Sequence, residues 1–143
     1  MSTNKPIGEA FMRKILLINA VSSGGCGLIL LLLSGYVSDW MGLSNQNALV
    51  ETGIFLLVFV TILLWTASRS LIAPIVILVI AVLDILWVVG SVILLEDEET
   101  TSAMTVLGEW AVALVAVVVG IFAIFEASYW WRNRSFGRSQ TIR

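Results

Sequence analysis

Four long apolar runs decide what this chain can fold into. They cover residues 15–37, 48–68, 71–95 and 104–131, and each is long enough to cross a hydrocarbon core of about 30 Å, which takes about 20 residues of helix. Inside a bilayer no water satisfies backbone N–H and C=O groups, so such a run folds as a helix that satisfies its own. Composition agrees: 59% of the residues are hydrophobic and 13% are charged, whereas soluble domains carry about one-quarter charged residues. The expected fold is an all-α transmembrane four-helix bundle of two antiparallel hairpins, forming a single integral membrane domain over residues 1–143 with short cytoplasmic tails. The first run is too long for a cleaved signal peptide and lacks a small-x-small site, so it is expected to stay in the protein.

Charge is sorted along the chain. Lys5, Arg13 and Lys14 precede the first run, Arg69 lies between the second and third, and Arg132, Arg134, Arg138 and Arg143 follow the fourth. The alternate links carry Asp39, Glu51 and the EDEE run at 96–99, with no lysine or arginine. Basic residues are enriched on cytoplasmic flanks. Both termini are therefore expected in the cytoplasm, in a multi-pass membrane protein. The short SRSLIAP link predicts a tight hairpin of the second and third runs, with Pro74 in the first helical turn, where its missing N–H costs little. The longer YVSDWMGLSNQNALVE link reads as an interfacial turn holding Trp40, Met41 and Leu43 among the headgroups. At the end of the fourth run, Tyr129, Trp130 and Trp131 read as an aromatic belt, with Arg132 and Arg134 reaching the headgroups as a membrane anchor.

Much familiar chemistry is excluded. The chain has no histidine, and Cys26 is its only cysteine, so it can form no internal disulfide, no Cys/His zinc site and no histidine-ligated haem. No phosphate-binding loop, dinucleotide fingerprint, nucleophile elbow or zincin pattern is present. No cofactor and no metal are expected. The EDEE run reads as a solvated loop, because adjacent acids lack the spaced ligands of a calcium loop.

The polar residues inside the runs are the candidate site. Asp84 interrupts AVLDILWVVGS, and counting about 1.5 Å per residue from Arg69 puts it roughly 20 Å deep, level with Cys26 and Gly120 counted from their own basic flanks. An acid at that depth is costly, and no lysine or arginine lies at a comparable level to offset it. Ser91 lies seven residues on, along the same face. In the first run Asn19, Ser22, Ser23 and Cys26 form one polar stripe, while Gly24 and Gly27 take part in small-xxx-small pairs that admit a neighbouring helix. The fourth run carries a second small-residue stripe that includes Ala116 and Gly120. Asp84 is expected to face a slot between the first and fourth helices, with a hydroxyl from Ser22, Ser23 or Thr61. Glu109 is expected near a helix N-terminus, and Glu126 beside Arg132, Arg134 or Arg69 at the cytoplasmic face. A parallel internal repeat can be drawn by aligning Gly53 with Gly108.

With INAVSSGGCGLILLL, GIFLLVFV, AVLDILWVVGSVILL and VLGEWAVALVAVVVGIFAIFE in its four runs, the chain resembles small bacterial four-helix membrane proteins of unassigned function. Asn19, Asp84, Trp87, Val88 and Gly108 carry the likeness, which implies the four-helix bundle and no activity. Two readings of function follow. The first is a non-enzymatic bundle that acts through protein contacts in the membrane, as an accessory, assembly or oligomeric subunit. The alternative is a small proton-coupled transporter or channel, working as a dimer with Asp84 as the proton or cation site. Expected partners are the lipid bilayer, further copies of the chain or a larger membrane complex, and no nucleic acid.

Overall fold

The structure is a computed structural model and describes residues 6–135. Six helices follow one another: α1 (Glu9–Leu32), α2 (Ser34–Met41), α3 (Gln46–Ser68), α4 (Pro74–Glu96), α5 (Glu98–Ala103) and α6 (Val106–Asn133). Among the described residues there is no strand. The four long helices α1, α3, α4 and α6 are apolar enough to cross a membrane, and the protein is an all-α transmembrane bundle.

Local chemistry sets most helix ends. Asn45 caps α3 by accepting from Ala48 N–H at 3.3 Å. Pro74 opens α4 at a position where a helix needs no N–H. Asp97 caps α5 through Thr100 N–H at 3.0 Å, and Thr105 Oγ1 caps α6 through Gly108 N–H at 3.0 Å. Gly42 ends α2 with φ of +74°, a left-handed turn that favours glycine.

Several expectations are corrected here. α1 begins at Glu9, six residues before the apolar run, because backbone hydrogen bonding continues past the edge of the hydrocarbon into the polar flank. The run also breaks at Leu33, so residues 34–41 form the separate helix α2 and not an interfacial turn. Trp40 is exposed, but Met41 is buried against Gly108, where a Cβ would lie 3.1 Å from the Met41 carbonyl oxygen. The acids at 96–99 end α4, cap α5 and begin it, in place of a loop.

α1 packs along α3, and α4 along α6, giving two antiparallel pairs. The helices on either side of the short link, α3 and α4, make only marginal backbone contact, so they do not form the tight hairpin expected of them. The link allows this: residues 69–73 lie outside any helix, bent at 69–71 and extended at Ala73, and five residues can span more than the roughly 8–10 Å between packed helices. One aromatic contact still bridges them, a parallel stack of Phe55 on Trp87 with centroids 6.3 Å apart.

With lipid outside, helices gain nothing from hiding apolar surface, so close packing and hydrogen bonds hold the bundle. α1 and α3 approach most tightly at Gly27 and Gly53, where a Cβ on Gly53 would lie 2.9 Å from Gly27 O and from Leu31 N. Gly24 faces Val60, Gly120 faces Val88, and Ala116 is buried in α6. A core of Met12, Leu16, Leu63, Ile77, Ile80 and Phe122 joins all four long helices toward the end that carries the arginines. At that basic end Ile7 and Asn133 exchange two hydrogen bonds, Ile7 N–H to Oδ1 at 2.8 Å and Nδ2 to Ile7 O at 3.1 Å. Arg13 pairs with Glu9 at 2.9 Å and donates to the carbonyls of Ala67 and Arg69, which closes the last turn of α3. At the opposite, acidic end Thr105 clasps α2, its N–H donating to Met41 O at 2.8 Å and its hydroxyl to Trp40 O at 2.9 Å.

Candidate functional site: a buried amide and two acids

Three helices bring one polar cluster into the apolar interior. Asn19 on α1 and Glu126 on α6 are both fully buried, and Asp84 on α4 is 3% exposed. Asn19 Nδ2 donates to Asp84 Oδ2 at 2.9 Å and to Glu126 Oε1 at 3.3 Å. Ser23, one turn along α1, donates to Asn19 Oδ1 at 3.0 Å, which turns the amide so that its NH₂ faces both acids. The two carboxyls converge on the one amide nitrogen. Glu126 Oε2 is buried with no protein partner.

This arrangement is short of positive charge and of donors. Among the described residues the one ion pair is Arg13 with Glu9, at the basic end. Two carboxylates side by side repel, and the low dielectric of a buried site magnifies that repulsion. A proton held between Asp84 and Glu126 removes one charge and supplies a hydrogen bond from one carboxyl to the other. The site is therefore suited to bind and release a proton. Among the described residues no three cysteine, aspartate or glutamate side chains gather as metal ligands.

Depth explains how the cluster differs from its sequence-based picture. Asn19 and Asp84 are each the eleventh residue of their helices, about 15 Å along from Glu9 and Pro74. The count from Arg69 treated residues 69–73 as helix, although α4 begins at Pro74. Counting from Lys14 set Cys26 level with Asp84, whereas α1 has already run for a turn and a half by that point and Asn19 takes that level. Asp84 thus meets Asn19 and Glu126, and Cys26 and Gly120 are not its neighbours in the cluster.

Of the other candidate residues, Ser23 joins the cluster directly. Ser91 is buried but bonds back to Trp87 O at 2.9 Å. Ser22 and Thr61 are exposed on outer faces, and Thr61 bonds back to Leu57 O at 3.0 Å. Glu126 is a correction: it pairs with none of the described arginines. Arg134 lies over Trp131 at 3.9 Å and Arg69 over Trp65 at 4.0 Å, both cation–π contacts on the surface. The signal for Glu126 was its spacing, since it lies three residues before Tyr129 and seven before Asn133, on the face that all three bury.

The anchor is also redrawn. Trp131, Arg132 and Arg134 are exposed and Trp130 is half-buried, with its ring edge-on to Trp131 at 6.2 Å. Tyr129 is 1% exposed and donates its hydroxyl to Ile72 O at 3.2 Å. It ties α6 to the link before α4 and faces away from lipid. Lys5, Arg138 and Arg143 lie outside the described residues. Comparison with protein-family models, curated proteins and solved structures gave no match to this chain.

Proposed function

We propose that this protein is a non-enzymatic, proton-linked component of the membrane, in which Asp84 and Glu126 hold an exchangeable proton oriented by Asn19. One observation carries the reading: two carboxyls share a single amide donor in a site shielded from solvent, with no cation among the described residues to neutralise them. An intramembrane acid is costly and commonly marks an ion pathway or proton relay, and here there are two. The site lies on the seam between the α1/α3 pair and the α4/α6 pair. Losing the proton sets two like charges against each other across α4 and α6, and regaining it restores attraction, so proton occupancy biases how the helices pack. A small transporter or channel uses a bias of this kind. Four helices rarely enclose a pathway, so the working form is a dimer, in a bacterial inner membrane with the basic end toward the cytoplasm.

Infrared difference spectroscopy tests this directly. A pH titration of the protein in lipid is expected to show a protonated carboxyl band that disappears on alkalinisation and is lost in both Asp84→Asn and Glu126→Gln. Reconstituted vesicles are expected to pass protons or a proton-coupled substrate, and to stop doing so in either variant. A carboxyl band absent at every pH from about 4 to 9 would mean that the pair holds no exchangeable proton.

A second reading, an accessory or oligomeric subunit acting through protein contacts, has its own observation. Between α4 and α6 an apolar groove lined by Ile85, Val88, Gly120, Ala123 and Ala127 opens on the lipid-facing side, and small residues of this kind let another helix approach closely. Cross-linking in membranes and native mass spectrometry in mild detergent separate the readings. A strictly monomeric particle with no partner in either setting counts against it.

A further inference from the structure

The first three turns of α1 and α4 bury the same positions, and their later turns do not: α1 goes on to bury Ala20, Ser23 and Gly27, α4 only Ser91. From α1 the protein buries Glu9, Met12, Ile15, Leu16 and Asn19, and from α4 it buries Pro74, Ile77, Ile80, Ala81 and Asp84. Each residue of the second set lies 65 positions after its counterpart, the same separation that divides the hydrogen-bonded Asn19 and Asp84. Gly25 and Gly90 keep that shift, as do the small polar pair Cys26 and Ser91. The partner helices agree with each other in part: Leu56, Leu63 and Thr66 of α3 and Ala116, Ala123 and Glu126 of α6 are buried at a constant shift of 60, while Leu49, Gly53, Phe59 and Ala67 have no buried counterpart at that shift. Their caps, Asn45 and Thr105, share it. The five-residue difference is taken up between the long helices, where α2 has eight residues and α5 has six. The alignment through Gly53 and Gly108 does not hold, because these are the eighth residue of α3 and the third of α6.

A buried stripe alone repeats every three or four residues in any packed helix. It does not require that the stripe start at the first residue of both helices, or that each helix place a polar residue of the cluster at its eleventh position. We propose that the chain is a parallel duplication of one unit, long helix, short helix, long helix, and that Asn19 is the first half's counterpart of Asp84. Asn19 is then a positioning residue that meets its own equivalent across the seam. The halves have diverged in charge. The first supplies an amide and the hydroxyl of Thr66, which bonds back to Ile62 O at 2.8 Å, where the second supplies Asp84 and Glu126. They have diverged in packing too, since α1 touches α6 while α3 and α4 barely meet. One asymmetric acid pair results in place of two symmetric sites. The duplication stands on geometry alone, and the functional consequence rests on the proton reading above.

Exchange of the two equivalent side chains is the test. In the full-length protein, Asn19→Asp places three acids together and removes the shared donor, so a large loss of thermal stability is expected. Adding Asp84→Asn returns an amide to the seam from the other half and leaves an acid beside Glu126. The double variant N19D/D84N is expected to regain most of the lost melting temperature and to titrate its carboxyl band with the wild-type midpoint. N19D/D84L, which restores bulk and no amide, is expected to regain neither. A double variant no more stable than N19D, or one whose midpoint stays displaced, overturns the equivalence. If N19D does not fold, the double variant decides by itself: folded with the wild-type midpoint supports the proposal, and unfolded defeats it. A wild-type protein with no titrating band defeats the proton reading, and recovery of stability on exchange then decides the duplication separately.

Discussion

Asn19 and Asp84 lie 65 residues apart in the chain and share a 2.9 Å hydrogen bond, amide to carboxyl, at the eleventh residue of their respective helices. The same amide reaches Glu126 at 3.3 Å, so one neutral side chain orders two acids from different helices. Loss of either acid has a separable effect.

For Asp84, an amide keeps the shape and an acceptor for Asn19, so Asp84→Asn is expected to unfold close to the wild-type temperature. Asp84→Leu strips the acceptor and is expected to destabilise the bundle by about 1–2 kcal/mol, the scale of interhelical hydrogen bonds in membranes. Glu126→Gln follows Asp84→Asn in stability. Proton-dependent activity is expected to be lost in all three, and thermal unfolding in detergent beside vesicle flux separates the two effects.

Gly53 is expected to be intolerant of any side chain, since its added Cβ would fall 2.9 Å from the backbone of α1. Gly53→Ala is expected to part α1 from α3 and cost about 1–3 kcal/mol, as overpacking does. Gly25→Ala has open space around it and is expected to be neutral or slightly stabilising. Equal melting temperatures for the two variants would contradict the close approach.

A pH effect is expected at the acidic end. The hydroxyl and backbone N–H of Thr100 hold the Asp97 carboxyl below its ordinary range. A lowered value in the folded state means that this cap supports α5 above the unfolded value of about 3.9 and is lost as pH falls through the lower folded value. Protection of the α5 amides, relative to their intrinsic exchange rate at each pH, is expected to fall at acid pH in the wild type. In Asp97→Ala the protection is expected to be low at every pH.

Orientation is checked by labelling. In a Cys26→Ala background, single cysteines at Ser44 and Thr101 are expected to react with an impermeant thiol reagent in intact cells, and one at Ser139, outside the described residues, is expected to stay protected. Labelling at Ser139 alone would invert the topology.

The sequence by itself determined the fold class, because each apolar run must satisfy its backbone locally and so must be a helix wherever it packs. Asp84 stood out for a similarly local reason, a carboxyl among aliphatic residues. Tertiary structure decided what Asp84 meets. The non-helical link at 69–73 and the early start of α1 shifted the depths counted from Arg69 and Lys14, and Asp84 meets Asn19 and Glu126 in place of Cys26 and Gly120. Glu126 itself sits six residues from Arg132, near enough to a basic flank to pass for a surface acid. It is buried because α6 turns that face, with Tyr129 and Asn133, toward α1 and the link before α4. Which face of a uniformly apolar helix points inward depends on its neighbours, and in a bilayer hydrophobicity does not record that choice.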